Sequence, residues 1–203
     1  MPAPNLTRRR ALADAAIELL VESGVHGVTH RAVERRADLP TGTASNYFRT
    51  REDLLVAAAE RVLDLHRADM ADAADRHLGT DPTTRGTLAD QLVDLIAGSL
   101  HTAATEHRTR YLAIFELWLE SLRRPRLADA VAGLALGAEQ FTAGHHADLG
   151  LGVPPDRIPL LLRLYGGALF TLVAGPPAAA TPDAARALAT ALVTSALAGD
   201  LLT

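Results

Sequence analysis

Seven consecutive positions, Thr41 to Tyr47, place Thr41, Gly42, Thr43, Ser45, Asn46 and Tyr47 around one alanine and carry no charge. Short hydroxyls, a carboxamide and a phenol donate and accept hydrogen bonds. On one helix they suit base edges and phosphate oxygens in a major groove. Other chemistry lacks its residues. There is no cysteine, which excludes disulfides, thiolate metal sites and a cysteine nucleophile. No Glu-x-x-His pair supports a di-metal site, and the glycine patterns of phosphate and dinucleotide loops are missing. His145 and His146 are adjacent, and adjacent helical residues point about 100° apart, a poor metal pair. The expectation is no metal, no cofactor and no enzyme; a helical-bundle enzyme is the competing class.

The reading residues need elements to hold them. Thr29 can cap a short second helix, His30 to Arg36. Asp38-Leu39-Pro40 leaves room only for a turn before a third helix, Thr41 to Phe48. Two short helices across a tight turn have helix-turn-helix dimensions. Many αα-hairpins bind nothing, so spacing alone leaves that reading open. Gly42 inside the third helix suits close backbone approach to DNA, or else a frayed first turn. His30 and Arg31, at the start of the second helix, join the DNA-facing set. A first helix is predicted from Arg8 to Glu22, with Thr7 as cap, Gly24 as stop and an inward face of Leu12, Ala16, Leu19 and Leu20. Arg8-Arg9-Arg10 reads either as a phosphate-tracking arm or as a solvated terminus.

Beyond Phe48 the pattern is helical throughout. Thr50-Arg51-Glu52-Asp53 has the form of a capping box with Asp in the Glu place, opening a fourth helix to about His77. Further helices fit Leu88–Thr102, Glu106–Leu122, Leu127–Asp148, Asp156–Val173 and Asp183–Ala198. The predicted fold is all-α: a three-helix helix-turn-helix domain over residues 1–50 and a bundle of about six helices over 51–203. The uncharged stretch 164–182 is broken by Gly175-Pro176-Pro177, and acids interrupt the first apolar run. Neither a membrane span nor a signal peptide is expected, and a cytoplasmic location is.

Net charge is −4, which taken whole argues against a nucleic-acid binder. The distribution argues otherwise. Residues 1–51 hold eight Arg and five acids, whereas residues 52–203 hold 12 Arg and 19 acids. A basic head on an acidic body suits a protein that meets phosphate at one end.

The run from Val28 to Phe48, followed by the charged helix start Thr50-Arg51-Glu52-Asp53-Leu54-Leu55, resembles the tetracycline-repressor (TetR) family. The strong match covers about residues 8–55; the rest matches only in architecture. The resemblance implies a phosphate contact at Thr29, base contacts at Thr43 and Asn46, and phosphate contacts at Tyr47 and Arg51. The sequence departs from the pattern at five places. Glu34 stands for the usual Ala, Asp38 for Gly, Pro40 for Ser, Ala44 for a branched residue and Ser45 for a frequent aromatic. The implied partner is double-stranded DNA, a near-palindromic operator read by a homodimer. A degenerate, non-DNA interaction protein is the remaining alternative.

The last two predicted helices are nearly uncharged: between Ile158 and Pro182 only Arg163 carries charge. A helix apolar all round must be covered on all sides. The expected cover is a second subunit at Leu161, Tyr165, Leu169, Leu188 and Leu192; a buried central helix in a monomer is the alternative. The resemblance implies the same pairing. A largely apolar pocket for a small organic effector is expected from His66, Met70, Tyr111, Phe115, Glu116, Trp118, Phe141 and His145. Core packing is the plainer account of the aromatics among them.

Overall fold

The computed structural model describes residues 4–78 and 87–197, without the side chains of residues 4, 5, 70–78 and 134. Nine α-helices and no strand lie among the described residues. They are α1 (Pro4–Gly27), α2 (His30–Arg36), α3 (Thr43–Tyr47), α4 (Arg51–Leu78), α5 (Leu88–Ala104), α6 (Arg108–Ser121), α7 (Pro125–Asp148), α8 (Ile158–Ala174) and α9 (Pro182–Leu197). Short 3-10 turns at Pro155–Arg157 and Pro177–Ala179 precede α8 and α9.

The ends follow local chemistry. Gly24 takes φ 63° inside α1, which breaks the regular helix where glycine was expected to stop it. The Thr50 amide donates to the Asp53 carboxylate at 2.8 Å and the Asp53 amide to the Thr50 hydroxyl at 3.1 Å, the reciprocal box predicted for the start of α4. The Thr50 amide, first of all, holds the Asp53 carboxyl below the usual range. Thr87 and Asp90 repeat the box at the start of α5. Pro125 begins α7, two residues before the expected start, where a missing N–H costs nothing.

The chain forms two compact units, Met1–Asp69 with Thr109–Leu136, and Met70–Arg108 with Gly137–Thr203. The first is built on Leu12, Leu20, Val28, Val33, Leu54, Leu55, Val62, Leu117 and Leu127, all fully buried. Ion pairs Arg61–Asp14 at 2.7 Å, Arg126–Asp53 at 2.8 Å and Arg110–Asp69 tie its helices together.

In the second unit α5 packs along α8 and α9. Its apolar face, Leu92, Ile96 and Leu100, is buried there. This corrects the expected dimer surface. Leu161, Leu169 and Leu192 are only 2%, 6% and 5% exposed, covered within their own chain. Tyr165 bonds through its hydroxyl to Ser99 of α5 at 2.7 Å, and Leu188 is half-buried. The physical reason is that α5 supplies the apolar partner that the sequence reading assigned to a second copy. Exposed small and apolar residues of these helices include Leu160, Gly167, Phe170 and Ala174 on α8, beside exposed Arg163 and Thr171, and Ala187 and Ala191 on α9. The segment Pro155–Ala174 is long and apolar enough to cross a bilayer by composition, yet α8 within it packs on α5 and α9.

Candidate nucleic-acid interface

The second and third helices meet across a turn at residues 37–42. Thr29 caps α2 by accepting from the Ala32 amide at 3.2 Å. Asp38 takes φ 52°, the left-handed region that glycine usually fills. Asp is among the few side chains that tolerate it. Leu39 then returns its amide to the Glu34 carbonyl at 2.9 Å.

Gly42 lies outside α3, as its N-cap, at φ 90°. The expectation that it sits within the helix is corrected: α3 starts at Thr43, because a left-handed residue cannot continue a right-handed helix. A Cβ at Gly42 meets nothing within 4 Å, so the backbone angle is what calls for glycine. The Thr43 hydroxyl donates to the Pro40 carbonyl at 2.6 Å, locking the turn to the helix.

Thr41, Gly42, Ser45 and Asn46 are exposed on and beside α3, and Thr43 and Tyr47 are half-buried. Ala44 and Phe48 are the buried anchors. Thr29 and Arg31 are exposed at the start of α2. Arg31 and Arg49 carry no ion pair among the described residues, and Arg49 follows α3 directly. No sequence signal marks Arg49, which falls after the helix.

Two expected DNA contacts have other work. Arg51 donates through Nε to the Val28 carbonyl at 2.8 Å and through Nη2 to the Val25 carbonyl. It therefore pins the α1–α2 connection rather than presenting its fork to solvent. His30 donates from Nε2 to the Phe48 carbonyl at 2.8 Å. A carbonyl only accepts, so Nε2 carries the hydrogen. Of the arginine run, Arg9 pairs with Glu60 at 2.9 Å and lies 5.7 Å from the Phe48 ring centre. Arg36 is held by Glu18 at 2.9 Å and by Glu22. Neither of these two cations is left over for phosphate.

The residues expected to hold an effector fall in both units. His66 meets Tyr111 edge to face at 6.2 Å in the first, where Phe115 and Glu116 are half-buried. Trp118, 45% exposed, is not part of that buried face. The inward line of α6 runs through Tyr111, Ile114 and Leu117 instead. In the second unit Phe141 stacks on His145 at 5.3 Å. Met70 lies outside the residues whose side chains are described. Two cavities of about 320 and 330 Å³ are lined by other residues. One, at the α7–α8 connection, has the buried His146 in its wall with Ala143, Val153 and Ile158. Burial, then the neighbouring His145, pushes the His146 imidazole down to about 4. The other lies between α1 and α4, among Leu6, Arg10, Leu63 and Arg67.

Residues 12–58 match the model described as bacterial regulatory proteins, tetR family, and residues 83–199 that described as tetracyclin repressor-like, C-terminal domain. The HTH-type transcriptional regulator BetI of Escherichia coli (strain K12) is 31% identical over 120 residues, 59% of this chain and 58% of BetI. The chain thus spans under two thirds of the curated relatives it matches. Among solved structures, the multidrug binding protein EbrR complexed with proflavin is 27% identical, covering 91% of this chain and 99% of EbrR, with a TM-score of 0.58. A member of the TetR family from Streptomyces coelicolor A3 is 28% identical over 91% of this chain and 97% of its own, with a TM-score of 0.66. A C-terminal match over more than half of the sequence, preceded by a matched helix-turn-helix, leads to one conclusion: the chain belongs to the tetracycline-repressor family.

Proposed function

We propose that the protein is a homodimeric transcriptional repressor that binds a near-palindromic operator and leaves it when a small apolar organic molecule binds. The carrying observation is the set of uncharged, exposed hydrogen-bonding side chains, Ser45 and Asn46 of α3 and Thr41 of the turn before it, with Arg31 of α2 and Arg49 after α3 also exposed. Side chains of this type read base edges, and the flanking guanidinium groups suit phosphate. Thr29, Thr43 and Tyr47 complete the proposed contact set. Arg49 takes the phosphate role that Arg51, bound to two carbonyls, does not.

The proposed dimer uses the outer faces of α8 and α9. Leu160, Gly167, Phe170 and Ala174 recur at helical spacing on one exposed side, with the small Ala187 and Ala191 on the other helix. Small residues allow close approach of two helix pairs. A two-fold axis through that face matches two half-sites. The effector class is supported by the apolar and aromatic residues of both units and by the dye-bound EbrR relative. A cytoplasmic setting follows from this reading, since the operator lies there.

The test is selection of duplexes from a random library by the purified full chain at physiological salt. The reading expects a consensus of two inverted half-sites, and loss of the retained duplex on adding proflavin-like aromatic compounds. Recovery of sequences no different from the input library contradicts the DNA-reading half. Retention of the duplex against every aromatic compound offered contradicts the effector half.

A further inference from the structure

The reading helix is held at both ends by side chains of α2; its own Thr43 hydroxyl bonds only to the Pro40 carbonyl of the turn before it. Helix α3 has five residues, and its N-cap is Gly42, which offers no capping side chain. A helix this short does not form alone, because nucleation costs more than one turn returns. Its first amides also lack partners within the helix. One of them, Ala44 N–H, donates to Oε1 of Glu34 at 2.8 Å in a buried hydrogen bond. Glu34 is 3% exposed and Ala44 is 0% exposed. At the other end the Phe48 carbonyl accepts from Nε2 of His30 at 2.8 Å.

His30 and Glu34 are four residues apart on α2, so they share a face one turn apart. Ala44 and Phe48 are also four apart, so both pairs span about 6 Å along their helices. The signs also match. A carboxylate meets the positive N-terminal end of α3, and an N–H donor meets its negative C-terminal end. Glu34 and Ala44 are two of the positions where the sequence leaves the family pattern, and here they touch.

We infer that His30 and Glu34 are positioning residues: together they form a polar brace that fixes the orientation of α3 and thereby its base preference. The inference rests on the DNA-reading function proposed above. Ala44 and Phe48 seat α3 by packing, and the two hydrogen bonds set its tilt on that seat. Base contacts from Asn46 and Ser45 need donor–acceptor distances near 2.7–3.2 Å, and a tilted helix loses them. Long arginines at Arg31 and Arg49 follow phosphate through such a tilt. Loss of the brace therefore lowers specific binding and spares non-specific binding.

The experiment uses the full-length protein with three substitutions. Glu34→Leu keeps the volume and removes the acceptor, Glu34→Gln keeps an acceptor oxygen, and His30→Phe keeps a ring and removes the donor. Two quantities are read: hydrogen exchange at the Ala44 amide without DNA, and the ratio of affinities for a selected and a scrambled duplex. The brace predicts a protected Ala44 amide in wild type and Glu34→Gln, and loss of protection in Glu34→Leu. It also predicts that the ratio falls at least about tenfold in Glu34→Leu and His30→Phe, the scale of one lost base contact, while Glu34→Gln keeps it. An Ala44 amide that exchanges freely in folded wild type overturns the brace whatever the variants do. So does an unchanged ratio in a cooperatively folded Glu34→Leu protein. If wild type shows no preference among duplexes, the functional reading fails, and amide exchange still decides whether the brace exists.

Discussion

Arg51 donates from Nε to the carbonyl of Val28 across 2.8 Å, so the first residue of α4 grips the backbone just before α2. A second bond, from Nη2 to the Val25 carbonyl, completes the clamp. The family resemblance implies a phosphate contact for this arginine instead. The two roles separate experimentally. Arg51→Ala is expected to cost about 1.5–3 kcal/mol of stability, the range for a hydrogen bond involving a charged group. The slope of log binding constant against log salt should match wild type. A slope smaller by about 0.9, the signature of one lost phosphate neutralisation, would return Arg51 to the DNA.

Asn46 and Tyr47 should respond differently to removal. Asn46 is exposed on α3 and Tyr47 is half-buried beside the Phe48 ring, 6.4 Å centre to centre. Asn46→Ala is expected to relax preference at one position per half-site by about 1–3 kcal/mol. Tyr47→Phe should weaken all duplexes alike, because a phosphate contact carries no base information. A repeated selection that returns the wild-type consensus for Asn46→Ala counts against Asn46 as a reader.

The outer and inner faces of α8 make a paired prediction. Gly167 is exposed and Leu169 is 6% exposed. Gly167→Arg should leave a folded chain that sediments as a monomer at micromolar concentration, where wild type is expected to sediment as a dimer. Leu169→Arg should unfold the second unit, since a buried unpaired charge costs several kcal/mol. A Gly167→Arg protein that remains dimeric places the interface elsewhere.

His146 gives stability a pH dependence of known sign. Unfolded, its imidazole takes up a proton near 6.5; folded, it does so only near 4. Between these values the unfolded chain binds more protons, so acid favours unfolding. The contribution is fully present above about 6.5 and is lost as pH falls toward about 4. Denaturant titrations of wild type and His146→Leu should therefore diverge in slope across that window, wild type falling more steeply. Parallel curves contradict a buried neutral His146.

The helix-turn-helix was legible because its signals are local: Thr29 as a cap, Thr50 and Asp53 as a box, Asp38-Leu39-Pro40 as a turn. The bonds of Arg51, His30 and Glu34 were not legible, because their partners are backbone groups of other segments, and no residue type marks a backbone partner. The uncharged helices α8 and α9 announced that they need cover, but an apolar face does not say whether α5 or a second copy provides it. Hence Leu161, Leu169 and Leu192 went to the wrong side. On α6 leucines flank the aromatic line, so apolar residues fit more than one phase of the helix, and Trp118, expected in the pocket, falls outside the buried face.

The central claim is that this chain distinguishes one DNA sequence from another. Its most direct test is an equilibrium titration of wild type against the selected duplex and a scrambled duplex of equal length, at physiological salt. The account predicts an affinity ratio of at least about 10³, the lower end for specific regulators. A ratio near one, with both affinities collapsing together as salt rises, contradicts it.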